Sequence, residues 1–177
     1  MKNKKMTSVI VLFVALFLGL VSVVYAAGNI DSTNKWAWAG NAGWLNFNPS
    51  HGGGVTVYDD HLEGYAWAEN IGWVRLGTHD GGGTHTYDNN AAGNYGVNII
   101  TATNVLTGYA WSANAGWINF NPSHGQVTID SATGEFDGYA WGENVGWIHF
   151  KNTGANAYGV VTGSSSSGVY LPVIIKN

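Results

Sequence analysis

Hydrophobic and polar residues alternate along short stretches of this 177-residue chain, a pattern that predicts β-strands. In the stretch WINF at 117–120, Trp117 and Asn119 alternate with Ile118 and Phe120. Successive side chains of a strand point to opposite faces, so Ile118 and Phe120 are expected on one face and Trp117 and Asn119 on the other. Because no stretch after the first 27 residues shows a sustained helical period, the fold class is predicted to be all-β.

One phrase occurs four times: an aromatic residue, Ala and Trp, followed after five residues by a second Trp. The copies are WAWAGNAGWLNF at 36–47, YAWAENIGWVRL at 65–76, YAWSANAGWINF at 109–120 and YAWGENVGWIHF at 139–150. Each copy reads as two strands joined by a five-residue loop, in which Gly can take positive φ and Asn can accept backbone hydrogen bonds. We therefore predict four antiparallel β-hairpins.

The four copies form two pairs, because Trp111 follows Trp38 by 73 residues and Trp141 follows Trp67 by 74. The string NFNPSHG occurs at 46–52 and 119–125, only in the first member of each pair. Short further strands are predicted at 55–58 and 127–130. The prediction is an internally duplicated set of antiparallel hairpins, with about ten to fourteen strands, arranged as a sandwich, a barrel-like body or a short β-solenoid.

Residues 1–26 are predicted to be a signal peptide. MKNKK is a basic start, an apolar stretch follows, and VYA ends at Ala26 with small residues suited to cleavage. An uncleaved membrane anchor is the alternative, because about twenty apolar residues can span a bilayer. In either case the rest of the chain is expected to be extracellular or at the cell surface, with the membrane contacted only through this segment. Residues 27–163 form the predicted four-copy repeat domain.

The charge of the chain limits its expected partners, and its lack of Cys limits the sources of its stability. Loss of residues 1–26 would leave four basic and eleven acidic residues, a net charge of −7 (4 − 11). Phosphate binding needs clustered Lys and Arg, so a nucleic-acid partner is not expected. The chain has no Cys. Stability must therefore come from packing and hydrogen bonding, with metal binding or assembly as further contributors.

The alternation of side chains along the strands of each copy predicts which face is buried. The second strands place only aliphatic residues and Phe on one face, as Ile118 and Phe120 illustrate, and this face is assigned to the core. The other face carries Trp and polar residues. Its Trp rings either form a second buried layer against the neighbouring copy or remain exposed as a platform for sugar rings. The candidate ligand residues are Trp67, Trp73, Arg75, Trp111, Trp117, Asn119, Trp141, Trp147 and His149.

The sequence gives only weak evidence for a catalytic or metal-binding site. Glu69 and Glu143 occupy equivalent turn positions, but Gly40 and Ala113 replace them in the other copies. The remaining metal candidates have no known ligand spacing, and a solvated role is expected for the loop histidines; these candidates are His51, His79, Asp80, His85 and His124. Calcium binding by Asp59, Asp60 or Asp130 is a separate alternative. No nucleophile motif or phosphate loop is present. The sequence therefore predicts no enzyme, no catalytic residue, no metal and no cofactor.

The C-terminal segment 164–177 combines a Ser-rich linker with an apolar strand. Pro172 would confine this strand to an edge of its own domain. The alternative is strand addition to another subunit, which makes self-association a predicted property. The assembly residues are Val169, Tyr170, Leu171, Val173, Ile174 and Ile175.

The repeat phrase GYAW followed by ENxGWI, with a downstream YGV, resembles Trp-rich repeats of uncharacterised bacterial secreted or surface proteins. The resemblance covers residues 34–161 and implies export and a repeated β domain, with no activity or site residues. This chain departs from the pattern at Trp36, Gly40 and Ala113. The predicted function is a non-enzymatic extracellular or cell-surface structural protein that self-assembles through its aromatic faces and C-terminal strand. The alternative is a carbohydrate-binding module that recognises a polysaccharide or other glycan.

Overall fold

The computed structural model of the protein describes residues 28–163, so the predicted signal peptide (1–26) and tail (164–177) lie outside the described residues. Between residues 28 and 163 the chain contains no helix and forms thirteen strands. Consequently, this part of the chain contains no helix that could cross a membrane. The strands are β1 Ile30–Ala39, β2 Gly43–Asn46, β3 Val55–Val57, β4 Leu62–Ala68, β5 Gly72–Arg75, β6 Val97–Ile100, β7 Val105–Ser112, β8 Gly116–Asn119, β9 Val127–Ile129, β10 Phe136–Gly142, β11 Gly146–His149, β12 Lys151–Asn152 and β13 Tyr158–Thr162.

Eight of the strands form a closed antiparallel barrel in the order β1, β2, β4, β5, β7, β8, β10 and β11. The barrel closes where β11 pairs with β1, with Trp38 opposite His149 and Ala39 opposite Ile148. Each sequence copy contributes one hairpin, so the four hairpins follow one another around the barrel. The prediction of an all-β fold made of antiparallel hairpins is confirmed, and the barrel-like arrangement is the one adopted.

The hairpin loops are shorter than the sequence suggests. Ser112 pairs with Gly116, which leaves three loop residues in place of the predicted five. Gly116 has φ +75°, and a left-handed residue after a three-residue turn is a common way to close a hairpin. The predicted positive φ of this glycine is therefore confirmed, while the strands extend one residue further at each end.

A glycine at the start of each GYAW phrase lets one long strand serve two sheets. In β4 the residues after Gly64 pair with barrel strands, whereas Leu62 to Gly64 pair with β3. Gly64 has φ +86°, and a Cβ there would overlap the carbonyl oxygen of Gly54. Gly108 and Gly138 are equivalent in β7 and β10, at φ +87° and +91°. These glycines allow β6 and β9 to add to the barrel strands as β3 does.

Small and large side chains share the barrel interior. The first strand of each hairpin contributes Ala, Ser or Gly, and the second contributes Leu, Val, Ile or Phe. An eight-stranded barrel is just wide enough for side chains to fill, so this mixture suits its interior. The core assignment for Ile118 and Phe120 is confirmed. The inward residues of the second strands are Leu45, Phe47, Val74, Leu76, Ile118, Phe120, Ile148 and Phe150.

A cluster of Phe rings is centred on Phe150. The rings of Phe47, Phe120 and Phe136 lie 5.5, 5.6 and 5.9 Å from it. Three of these residues directly follow their hairpins' second strands at equivalent positions, and Phe136 starts β10. The cluster therefore joins the first, third and fourth hairpins in one core.

Candidate functional site

Eight Trp side chains lie on the outer surface of the barrel as four cross-strand pairs. Trp111 is opposite Trp117, and their rings meet edge to face with centroids 4.7 Å apart. The other hairpins repeat this contact at 4.8 to 4.9 Å. Edge-to-face packing is the arrangement that the ring quadrupoles favour. The remaining pairs are Trp38 with Trp44, Trp67 with Trp73, and Trp141 with Trp147.

All eight of these rings remain in contact with solvent, at 37 to 44% exposure. The expectation of a second buried aromatic layer is therefore wrong. The barrel explains why: its interior already holds the aliphatic and Phe side chains, and an indole does not fit where Ala110 sits fully buried. The two Trp rings of each copy pack on each other, and part of each ring stays exposed to solvent.

Two positions after the second Trp of each copy, a polar or charged residue lies between aromatic residues of the two neighbouring strands. Asn119 is opposite Tyr109 of its own hairpin and opposite Trp141 of the next. Arg75 and His149 occupy the same position in the second and fourth hairpins. The predicted gathering of two Trp and a Tyr beside Asn, Arg or His is therefore what the strand register produces.

Arg75 and His149 are already engaged within the protein. Arg75 donates from Nε to the carbonyl of Gly77 and from a terminal nitrogen to that of Thr78, at 2.8 and 3.0 Å. His149 stacks on Tyr139, with centroids 4.2 Å apart, and its Nδ1 lies 2.9 Å from the Tyr158 hydroxyl. Burial lowers the pKa of His149 below 6.5 and outweighs the opposing effect of Asp137. Both side chains therefore stabilise the fold and are not free to bind a ligand.

The segment after each hairpin packs on the second Trp of the next hairpin. Tyr95 meets Trp117 edge to face at 4.9 Å, and Tyr158 meets Trp44 in the same way at 5.0 Å. After the first and third hairpins this place is taken by a glycine of an NPSHG string. A Cβ on that glycine would lie 2.5 to 2.7 Å from the indole. These glycines are Gly52 beside Trp73 and Gly125 beside Trp147.

Asparagine side chains at the hairpin tips bind the preceding tip. Asn114 donates to the Ile71 carbonyl at 3.2 Å, and Asn144 donates to the Ala115 carbonyl at 3.1 Å. The adjacent Glu143 is exposed, and Glu69 is exposed at the same place in the second hairpin. Because the second and fourth hairpins are not neighbours in the barrel, the two carboxylates belong to separate parts of its rim.

An open groove runs along the outer surface beside the third hairpin. One part has a volume of about 520 Å³ and lies between Trp117 and the segment 89–95. An adjoining part of about 360 Å³ continues between the third and fourth hairpins. We call this the aromatic groove. Its defining side chains are Tyr95, Tyr109, Trp117, Asn119, Trp141 and Glu143.

Three candidate ligand residues from the sequence line this groove, namely Trp117, Asn119 and Trp141. The other six candidates lie elsewhere on the outer face or, like Arg75 and His149, contact the protein itself. Tyr95, Tyr109 and Glu143 were missed as groove residues. Tyr109 belongs to the repeat phrase, whereas the segment containing Tyr95 reaches Trp117 only through tertiary folding.

A separate polar cluster joins strand β4 to the glycine-rich loop after the second hairpin. Its members Asp60, His79 and His85 are among the candidates named from the sequence, whereas His61 and Glu63 were missed. His61 and Glu63 are buried, and His79 from the loop lies 3.6 Å from the Glu63 carboxylate, between its Nε2 and Oε1. His79 and His85, for which a solvated role was expected, stack with ring centroids 4.1 Å apart and remain partly exposed to solvent. The missed signal is the alternation HLE at 61–63, which puts His61 and Glu63 on one face of a strand.

No protein family, curated protein or solved structure matches this chain. The resemblance to Trp-rich repeats of bacterial surface proteins therefore stays a prediction.

Proposed function

We propose that the protein is a non-enzymatic extracellular module that binds neutral carbohydrate in the aromatic groove. One observation carries the proposal: four aromatic side chains and several polar ones line the two adjoining parts of one open groove. The aromatic residues are Tyr95, Tyr109, Trp117 and Trp141, and the polar residues are Asn89, Asn90, Asn119, Glu143 and Asn144. Its larger part, about 520 Å³, lies within the range of about 300 to 1,000 Å³ usual for small-molecule sites. The extracellular location follows from the predicted signal peptide.

Sugar rings match this combination of groups. The C–H faces of a pyranose are apolar enough to stack on Trp or Tyr, while its hydroxyls need hydrogen-bonding partners around the ring edge. Asn119 and Glu143 supply an amide and a carboxylate beside the aromatic side chains. Sites of this kind generally combine aromatic walls with a few polar groups that orient the ligand.

The charge of the groove favours an uncharged ligand. Glu143 is the only charged side chain among the described residues that line it. An anionic glycan would meet this carboxylate with no Lys or Arg in the lining to compensate. We therefore expect neutral oligosaccharides to bind and uronate-rich or sulfated ones to be rejected.

The same lining supports binding without hydrolysis. Most glycoside hydrolases place two carboxylates about 5 to 9.5 Å apart across the scissile bond. Glu143 is the sole carboxylate in the described lining, and its equivalent Glu69 lies on a hairpin that is not adjacent. The proposal is accordingly a binding module and not an enzyme.

Trp117 and Trp44 offer a matched pair of variants. Both rings are 44% exposed, and each is met edge to face by a Tyr, but the described groove borders only Trp117. An array of neutral and acidic glycans identifies ligands, and affinity electrophoresis then compares variants. Trp117→Ala should weaken binding at least about tenfold, and Trp44→Ala should leave it unchanged. Absence of any bound glycan, or equal binding by both variants, would refute the proposal.

A second candidate is the structural, self-assembling role predicted from the sequence. The belt of eight partly exposed Trp around the barrel favours it, because contiguous apolar patches commonly mark interaction surfaces. The strand proposed for assembly, Val169 to Ile175, lies outside the described residues. Light scattering and electron microscopy of the protein with and without residues 164–177 test this role. Polymers that require the tail would support it, and monomers in both preparations would exclude it.

A further inference from the structure

The cluster formed by Asp60, His61, Glu63, His79 and His85 lies outside the aromatic groove. His61 is fully buried and Glu63 is 6% exposed. Burying ionisable groups costs free energy unless they are paired or bind a metal ion. The cluster is part of neither the barrel interior nor the groove lining. Neither of these features therefore explains why ionisable side chains are buried together here.

Three of its atoms have the spacing of metal ligands. His61 Nε2 lies 3.1 Å from Glu63 Oε1, and His79 Nε2 lies 3.6 Å from the same oxygen. All three atoms lie within 4.8 Å of one another. Ligands at about 2.0 to 2.1 Å from a tetrahedral ion are separated by about 3.3 Å, which these two distances bracket. The His61 and His79 nitrogens lie within 4.8 Å of each other and would have to approach by up to about 1.5 Å around an ion.

Asp60 orients His61 in the manner common at metal sites. Its Oδ1 lies 2.5 Å from His61 Nδ1, and its Oδ2 accepts a hydrogen bond of 3.0 Å from the His85 backbone nitrogen. Histidine ligands generally donate their second ring N–H to such a carboxylate.

The two ring nitrogens of His61 face two different carboxylates. Nδ1 lies against Asp60 Oδ1, and Nε2 lies 3.1 Å from Glu63 Oε1. A histidine that donates from one ring nitrogen to a carboxylate presents the other nitrogen to a metal ion.

We propose that His61, Glu63 and His79 bind a divalent transition metal of the zinc class, with Asp60 as a positioning residue. Two imidazole nitrogens and one carboxylate suit Zn²⁺, whereas Ca²⁺ and Mg²⁺ take oxygen ligands. Three protein ligands leave a fourth position for water. His79 Nε2, now 3.1 Å from the Gly82 carbonyl, exchanges that contact for the metal.

The metal joins two segments that are distant in sequence. His61 directly precedes β4, Glu63 lies near its start, and His79 lies in the loop between β5 and β6. The Gly82 N–H already donates to Glu63 Oε1 at 2.9 Å. In a chain with no Cys, a metal at this point is a cross-link that holds the loop on the sheet.

The test uses the full-length protein, stripped with a chelator and titrated with Zn²⁺ in competition with a chromophoric chelator. We expect one Zn²⁺ per chain and a melting temperature that rises by several degrees, roughly the effect of saturating a tight site. His79→Ala should weaken binding at least about tenfold, and Asp60→Asn by about 10- to 100-fold. His79 has 31% side-chain exposure, so its replacement leaves the core intact.

His124→Ala is the matched control, because His124 is an exposed loop histidine outside the cluster. It should bind Zn²⁺ as the wild type does. Failure of the wild type to bind Zn²⁺ at one site, or equal binding by wild type and His79→Ala, would overturn the proposal. Neither result affects the carbohydrate proposal, which concerns different residues and a different ligand.

Discussion

Tyr158 packs edge to face on Trp44, joining the end of the repeat domain to its beginning, with ring centroids 5.0 Å apart. Its hydroxyl lies 2.9 Å from Nδ1 of His149, in the strand that closes the barrel against β1. Tyr95 makes the same ring contact with Trp117 between consecutive hairpins. The seam between the last and first hairpins is therefore stabilised by a Tyr–Trp contact. The same kind of contact links the second hairpin's following segment to the third hairpin.

Tyr158→Ala should lower the free energy of unfolding by about 1 to 3 kcal/mol, because it removes both the ring contact and the hydrogen bond at the seam. Tyr158→Phe keeps the ring and should cost only about 0.5 to 1.5 kcal/mol. Denaturant unfolding of the two variants measures both effects. Unchanged stability of Tyr158→Ala would mean that this contact does not support barrel closure.

The Trp111 and Trp117 pair should contribute a measurable coupling energy. A double-mutant cycle with Ala at each position is expected to yield about 0.5 to 1.5 kcal/mol, since the rings meet edge to face at 4.7 Å. Trp111 and Trp44, on hairpins that are not adjacent, serve as the control cycle and should show coupling near zero. Equal coupling in the two cycles would argue against a specific ring contact.

Gly138→Ala should destabilise the protein by at least about 2 kcal/mol. Gly138 has φ +91°, and an added Cβ would overlap the Gln126 carbonyl oxygen. Gly40→Ala is the comparison, because nothing lies within 4 Å of a Cβ at Gly40. Thermal unfolding should separate the two variants clearly. Similar melting temperatures would contradict the role assigned to Gly138 in switching β10 between sheets.

The Phe150 ring should be among the most important in the core. Phe150→Ala is expected to cost about 3 to 5 kcal/mol, because it opens a cavity among Phe47, Phe120 and Phe136. Phe150→Leu should cost less than about 1.5 kcal/mol, since Leu76 fills the equivalent place in the second hairpin. The free energy of unfolding from denaturant titration tests this order.

Acid should destabilise the protein partly through His149. Its folded-state pKa is lowered from 6.5 chiefly by burial, so below pH 6.5 the unfolded chain takes up the proton first. The contribution of His149 is thus present above pH 6.5 and is lost as the pH falls through the folded-state pKa. His149→Asn, which copies Asn119, should flatten this loss without abolishing it, because burial also lowers the pKa of His85.

Local alternation was sufficient to predict the hairpins and their faces. Ile118 and Phe120 point inward and Trp117 and Asn119 outward because side chains alternate in any strand. Closure of the barrel had no such local signal, since nothing in the fourth copy specifies that β11 pairs with β1. The exposure of the Trp rings depends on that closure, which fills the interior before an indole can enter.

The candidate sites depend even more on tertiary structure. Tyr95 reaches Trp117 from a segment outside the repeat phrase, and His79 reaches Glu63 across sixteen residues (79 − 63). Alternation alone could have paired His61 with Glu63, but Tyr58 and the loop 79–87 cover these side chains only in the folded protein. Residues within one repeat were therefore predictable, whereas contacts between a repeat and a connecting segment were not.

Nuclear magnetic resonance of the indole N–H groups tests the carbohydrate proposal most directly, because each of the nine Trp supplies its own signal. The probe is a titration with neutral oligosaccharides: cellohexaose, xylohexaose and chitohexaose. Carbohydrate binding in the aromatic groove predicts that the signals of Trp117 and Trp141 move with one of these ligands while those of Trp38 and Trp44 stay in place. No change at Trp117 and Trp141, or equal changes at all the outer Trp, would contradict it.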